Sequence, residues 1–386
     1  MLLRIIYTAV CLTLVFGGYS VICGFITTKY GKYGYYANFL YWLFSVIGSL
    51  LSPYLSYYLL GVKWSLVLGA ITYAIYIFGY NLDALYWILI VSALNGLGAG
   101  LFRTNMNVWL VSQLSTESPS NILGVQKTSD TQPKTTPEFY IGLYNSIFGT
   151  STIFGAILGI FIYNLDLSLY WFLFSVTTIA VILLCFILPA KIDETHQISL
   201  GVYKELLLEF KYLYPLIAYQ GFSTIYVNSI MSLNFGGNIQ LIMIHFLIFS
   251  IGYCLASHTL GWLAMELKFV IVFNMLMCLV SSVFVFVSKY FIEIHSAGHQ
   301  LIYLTYYIPS LMMGFAEASL IYFFIVLFNN EYPDNKASVF AYHRMCYSLS
   351  AGLFQLFASV VNLYVLLMCL NILLMIGVGV YMLRIK

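Results

Sequence analysis

Residues 309–355 of this chain read PSLMMGFAEASLIYFFIVLFNNEYPDNKASVFAYHRMCYSLSAGLFQ. Two apolar segments flank a short polar turn at residues 329–335, and each is long enough for a membrane helix. The first segment contains Glu317 and the second contains Arg344. A charge at membrane depth costs about 2.5–3.5 kcal/mol on insertion scales and normally faces a cavity or another charge. The stretch therefore predicts two membrane helices whose charged residues, Glu317 and Arg344, face a cavity or another charge.

Composition places the whole chain in a membrane. Of the 386 residues, 62% are hydrophobic and 8% are charged, whereas soluble proteins carry about 25% charged residues. Such a chain cannot present a water-compatible surface, so its surroundings are a lipid bilayer, of the plasma membrane or an endomembrane. Its apolar runs lack the two-residue alternation of barrel strands, so the spanning elements are predicted to be helices.

The apolar runs predict an all-α integral membrane protein with 12 transmembrane helices in two six-helix bundles. Residues 1–190 form the first half, residues 191–211 a cytoplasmic linker with a short helix at 203–210, and residues 212–386 the second half. Arg103 and Glu317 occupy equivalent places in the fourth helix of each half, as two parallel repeats would arrange them. The predicted spans are 5–25, 36–60, 65–80, 84–111, 138–163, 167–190, 213–234, 238–262, 267–289, 300–328, 337–361 and 363–383.

Basic residues predict the orientation of the chain. If both termini are cytoplasmic, the inner side carries eleven lysines and arginines and the outer side carries three. This is the bias that the positive-inside rule expects. The three outer residues are Lys29, Lys32 and Lys289.

Several spans place polar residues on one helical face. Arg103 and Asn107 share a stripe with small residues on the fourth span, and this stripe either lines a cavity or braces neighbouring helices. A fifth-span stripe that begins with Asn145 and Gly149 is better interpreted as a packing seam than as a binding face. The residues predicted to line a substrate or ion cavity are Arg103, Asn107, Gln220, Glu317, Arg344 and Gln355.

Chemistry that would make the chain an enzyme is not apparent in the sequence. His245, His258 and His343 lie on different predicted helices without the spacing of a metal site. No nucleophile, base and acid can be assembled from the sequence, and the cysteines include no CxxC pair. We therefore expect no catalytic activity, no cofactor, no metal and no nucleic-acid partner.

Three segments carry a family resemblance. The sequence GVKWSLVLGAITYA at 61–74, GLGAGL at 96–101 and GFAEA at 314–318 resembles the uncoordinated-93-like (Unc-93) branch of the major facilitator superfamily. The resemblance implies a twelve-helix bundle in which the first, fourth, seventh and tenth helices face a central cavity. The basic signature of the loop between the superfamily's second and third helices is reduced here to Lys63.

The resemblance leaves two functions open. One is transport of a small solute by alternating access, and the other is a non-transporting role as regulatory or trafficking partner of a membrane channel or receptor. Two arginines and one glutamate give the predicted cavity a net positive charge, which favours an anionic solute. We also expect Glu317 to reach Arg103 or Arg344 in at least one state, and to bind and release a proton during transport.

Overall fold

A computed structural model shows a helical protein. It describes residues 1–82, 84–115, 136–164, 169–187, 200–231, 238–295, 299–333, 335–358, 360–361 and 363–385. Residues 191–199 of the predicted linker lie outside these ranges. No residue within them lies in a β-strand.

The α-helices follow the predicted spans closely. They are α1 (Leu2–Tyr30), α2 (Lys32–Tyr54), α3 (Gly61–Gly79), α4 (Leu85–Ser115), α5 (Pro137–Asn164), α6 (Leu169–Leu184), α7 (Leu200–Glu209), α8 (Tyr214–Ile225), α9 (Ile239–Leu263), α10 (Leu267–His295), α11 (His299–Glu331), α12 (Lys336–Ala358) and α13 (Leu363–Ile385). A π-helical turn extends α2 through Leu59, and another extends α8 through Met231. The short helix predicted at 203–210 is confirmed as α7.

Nine helices in the part of the chain that the structure describes are long and apolar enough to cross a membrane. The other three predicted spans fall on α6, α8 and α12, which are helical but shorter or more polar. The chain is therefore an all-helical integral membrane protein.

Helix packing repeats along the chain. α4 packs along α2 and α3, and α11 packs in the same way along α9 and α10. α1 contacts α5 and α6, while α8 contacts α12 and α13. Two further pairs, α5 with α9 and α2 with α12, join the earlier helices to the later ones. This pattern is typical of two parallel repeats that enclose a site between them.

Glycines allow the helices that carry the charged residues to pack closely. A side chain on Gly96 of α4 would collide with the Tyr41 carbonyl of α2, and one on Gly314 of α11 would collide with the Phe249 carbonyl of α9. In lipid the hydrophobic effect does not bring helices together, and small residues at the interface allow the close packing that does. The sequence GLGAGL is thus a packing motif, and it fixes the position of α4, which carries Arg103 just beyond it.

Candidate functional site

Two adjoining cavities lie at the centre of the helix bundle. We call the first the aromatic chamber, because the rings of Phe16, Tyr19, Phe246 and Phe249 line it. We call the second the polar chamber, because Asn107, Asn145, Gln220, His343 and Arg344 line it. The two chambers have cavity volumes of about 100 and 60 Å³.

The chambers meet at a shared ring of side chains, which we call the waist. On α5 the polar chamber is reached by Asn145 and the aromatic chamber by Thr152. These residues are seven positions apart, about 10 Å along a helix. The chambers therefore lie on opposite sides of the waist along the helix axes. The residues that line both chambers are Arg103, Phe148, Tyr253, Glu317, Ile321 and Tyr347.

The family resemblance implies that the first, fourth, seventh and tenth membrane helices face a cavity. These are α1, α4, α8 and α11, because α7 is the short linker helix, and all four contribute to the chamber walls. Phe16 comes from α1, Arg103 from α4, Thr224 from α8 and Glu317 from α11. Helices α5, α9 and α12 complete the walls. Residues from both ends of the sequence thus surround one continuous space.

Hydroxyl groups hold the carboxylate of Glu317. Ser223 Oγ donates a hydrogen bond to Oε2 over 2.9 Å, and Thr224 Oγ1 donates to Oε1 over 3.1 Å. The Tyr347 hydroxyl donates to Thr224 Oγ1 over 2.9 Å. These contacts connect α8, α11 and α12 at the waist. Both oxygens of Glu317, the only carboxylate among the described residues that line the two chambers, are therefore hydrogen-bonded.

Arg103 rests on aromatic rings. Its Cζ lies 4.1 Å from the centre of the Phe16 ring and 5.4 Å from that of Phe148. A guanidinium over a ring face gains about 0.5–2 kcal/mol. Its Nε is buried and has no hydrogen-bond partner in the part of the chain that the structure describes.

Arg344 on α12 is held in the same manner. Its Cζ lies 4.4 Å from the centre of the Tyr347 ring and 5.5 Å from that of Trp42. The residue is 9% exposed. Its Nε and Nη2 atoms, which form one edge of the guanidinium, find no acceptor among the described residues.

Three carboxamides line the polar chamber. Gln220 Oε1 lies 3.0 Å from Nε2 of His343, so these two side chains are hydrogen-bonded to each other. Asn145 is 1% exposed, and neither atom of its amide has a partner within the described ranges. Asn107 Oδ1 is also buried without one. The chamber thus presents both donors and acceptors to any occupant.

Five of the six residues predicted to line a cavity come together in the polar chamber: Arg103, Asn107, Gln220, Glu317 and Arg344. Gln355 does not line either chamber. It is fully buried on α12, eleven residues beyond Arg344 and about 16 Å away along the helix. Arg344 and Gln355 were grouped because they share a helical face, but residues on one face can lie at different depths along the helix axis.

Sequence reasoning missed several wall residues. Asn145 belonged to a stripe interpreted as a packing seam, and the stripe does pack, since Gly149 lies against Tyr253. The same stripe also lines both chambers. Tyr347 is one turn from Arg344 on α12 and was detectable from that spacing alone.

The predicted contact between Glu317 and an arginine is not an ion pair in this structure. Neither Arg103 nor Arg344 comes within 4.0 Å of the carboxylate. Ion pairs in the described ranges occur at helix ends instead, between Arg384 and Glu331 at 3.0 Å and between Lys268 and Glu266 at 2.6 Å. A Glu317–arginine pair in another state stays a prediction.

Comparisons with known proteins agree with the fold. The structure resembles that of the major facilitator superfamily proton:xylose symporter XylE bound to 6-bromo-6-deoxy-D-glucose, with a TM-score of 0.69, 10% identity, and coverage of 99% of this chain and 95% of that chain. It also resembles a variant of the fucose:proton symporter FucP of E. coli, with a TM-score of 0.65, 11% identity, and coverage of 99% and 98%.

Sequence comparison identifies the family. No individual curated protein matches the sequence significantly. A family model described as "Ion channel regulatory protein UNC-93" matches residues 27–382, which is most of the chain. The chain therefore belongs to the UNC-93 family.

Proposed function

We propose that this protein is a secondary transporter that moves a small organic anion across the membrane by alternating access. Two six-helix halves, residues 1–190 and 212–386, rock about the chambers, and the linker at 191–211 connects them. The repeated helix packing supports this division, because each half supplies walls to both chambers. Both termini and the linker lie in the cytosol.

The observation that carries the proposal is the position of three charges. Arg103, Glu317 and Arg344 all line the polar chamber, although charged residues make up 8% of the chain. Residues that served only to brace helices would bond directly to one another, because an unpaired charge at membrane depth is costly. Here the carboxylate bonds to hydroxyls, and both guanidinium groups retain buried donors without partners in the described ranges. The site therefore favours a mobile anion.

A second candidate function is regulation of a channel or another membrane protein. The family description "Ion channel regulatory protein UNC-93" favours it. The start of α3 also favours it, because Lys63 in its first turn is all that remains of the basic signature that the superfamily usually has between its second and third helices. A regulator needs an intact fold but no movement of solute through the chambers.

Transport by the purified protein separates the two functions. Proteoliposomes that contain this chain alone are tested for uptake of a panel of radiolabelled carboxylates and sugars, with empty liposomes as the reference. We expect uptake of at least one carboxylate, and loss of that uptake in Arg103→Ala. Arg384→Ala is the matched control, because it removes an arginine at the C-terminal end of α13, away from the chambers. Absence of uptake, combined with altered current when a channel is coexpressed, would support regulation instead.

A further inference from the structure

The side chains that line the two chambers differ in chemistry, and this difference indicates which groups a ligand would carry at each end. Beyond the waist, the described residues of the aromatic chamber offer the rings of Phe16, Tyr19, Phe246 and Phe249, several serine, threonine and asparagine side chains, and no charged group. The polar chamber offers Arg344 and the two asparagines. A small hydrophilic anion would occupy the polar chamber and leave the Tyr19, Phe246 and Phe249 rings without a ligand contact. A ligand with one charged end and one apolar end would use both chambers.

Arg344 presents the geometry of a carboxylate receptor. Nε–H and Nη2–H lie on the same edge of the guanidinium, and this edge binds the two oxygens of a carboxylate side by side. The Tyr347 and Trp42 rings lie against the group and hold it in place. The edge itself is buried in the chamber wall and has no acceptor within the described ranges.

Asn145 supplies a second buried polar group at the same chamber. Its amide has a donor and an acceptor that find no partner among the described residues, although the residue is 1% exposed. Native proteins rarely leave both atoms of a buried amide without partners, and a bound water, ion or ligand is one explanation for such a group. Its Nδ2 is therefore an unused donor on the wall of the chamber that Arg344 also lines.

We propose that the ligand is an amphipathic monocarboxylate, whose carboxylate binds Arg344 and Asn145 and whose apolar, ring-bearing end passes the waist into the aromatic chamber. The proposal rests on the proposed function, because it names the class of the transported anion. Asn145 and Thr152, which reach the polar and the aromatic chamber, are about 10 Å apart along α5, so a spacer of several carbons must separate the ring from the carboxylate. Aryl-alkyl carboxylates have this form.

Calorimetric titration of the detergent-purified protein with a matched ligand series tests the proposal. The series comprises 4-phenylbutyrate, butyrate without the ring, 4-phenylbutyramide without the charge, and 4-phenylbutylamine with the opposite charge. We expect 4-phenylbutyrate to bind at least about tenfold more tightly than each of the others, because each lacks one of the two contacts or reverses the charge. Equal affinity for butyrate or for the amide, or no binding of 4-phenylbutyrate, would overturn the proposal.

Variants locate the binding site within the chambers. Arg344→Lys retains the charge but loses the two-pronged edge, and we expect it to weaken 4-phenylbutyrate binding at least about tenfold. Asn145→Asp should also weaken binding, because it places a negative charge beside the carboxylate. Asn145→Ala tests the amide without adding charge. Gly379→Ala on α13 is the control, because a methyl group there meets no atom within 4 Å. Unchanged affinity in both Arg344→Lys and Asn145→Asp would refute the assigned site.

Uptake measurements distinguish failure of this proposal from failure of the proposed function. Binding of 4-phenylbutyrate without its uptake into proteoliposomes would leave the ligand class standing and contradict transport. Uptake of a small hydrophilic anion without binding of 4-phenylbutyrate would leave transport standing and contradict the ligand class.

Discussion

Contact between Gly142 of α5 and Gly261 of α9 gives a quantitative test of how the earlier helices pack against the later ones. A methyl group on Gly142 would lie 2.5 Å from Gly261 Cα and 2.6 Å from the Ser257 carbonyl oxygen. Carbon atoms in contact prefer about 3.5–4.0 Å, so Gly142→Ala requires the helices to separate by about 1 Å. Overpacking of this kind typically costs about 1–3 kcal/mol.

Alanine also favours helix over glycine by up to about 1 kcal/mol, so the variant needs a control that isolates the packing cost. Gly379→Ala provides it, because the added methyl group there contacts nothing within 4 Å. Thermal unfolding in detergent is followed with a thiol-reactive dye that reports exposure of buried cysteines such as Cys278. We expect Gly379→Ala to unfold at or above the parent temperature and Gly142→Ala to unfold several degrees lower. If the two variants unfold at the same temperature, α5 and α9 do not pack as closely as we infer.

Three further predictions concern other parts of the chain. Phe210→Ala should lower the free energy of unfolding by about 3–5 kcal/mol, because the ring is fully buried and stacks on Phe328. Arg384→Ala should change it by less than about 1 kcal/mol, because its ion pair is partly exposed. The same unfolding assay compares the two variants. A cysteine introduced by Leu200→Cys should react with an impermeant maleimide only after cells are permeabilised, and labelling of intact cells would contradict the cytosolic linker. Uptake of an anion should depend on pH, and Glu317→Gln should retain exchange but lose that dependence, which pH profiles of counterflow would measure; identical profiles in parent and variant would exclude Glu317 as the proton site.

The helices were predictable because the membrane imposes one solution. Every backbone polar group in lipid must be satisfied within the chain, so a long apolar run such as 267–289 can only be a helix, and α10 covers it. Boundaries were harder to place. α4 extends to Ser115, four residues beyond its predicted end, because polar residues at a helix end are tolerated once the helix leaves the hydrocarbon region.

The candidate site was predictable to the extent that charges are rare in membrane helices. Arg103, Glu317 and Arg344 were selected for this reason, and all three line the polar chamber. The partners of Glu317 were not predictable, because Ser223 and Thr224 also bond locally within α8. Which groups such hydroxyls contact depends on how α8 is rotated against α11, and the sequence pattern does not specify that rotation.

The hydrogen bonds of Glu317 determine how much positive charge the site offers. A carboxylate paired with one arginine would leave one guanidinium uncompensated, but here Ser223 and Thr224 bond to Glu317 and both arginines rest on rings. Contact with a ring face offsets only part of the cost of burying a cation, and the Nε and Nη2 edge of Arg344 has no acceptor among the described residues. The proposed preference for an anion therefore rests on where the hydroxyls and rings lie as well as on the count of charges. A state in which Glu317 turned from its hydroxyls to an arginine would weaken that preference, and alternating access requires such a change in affinity to release a bound anion.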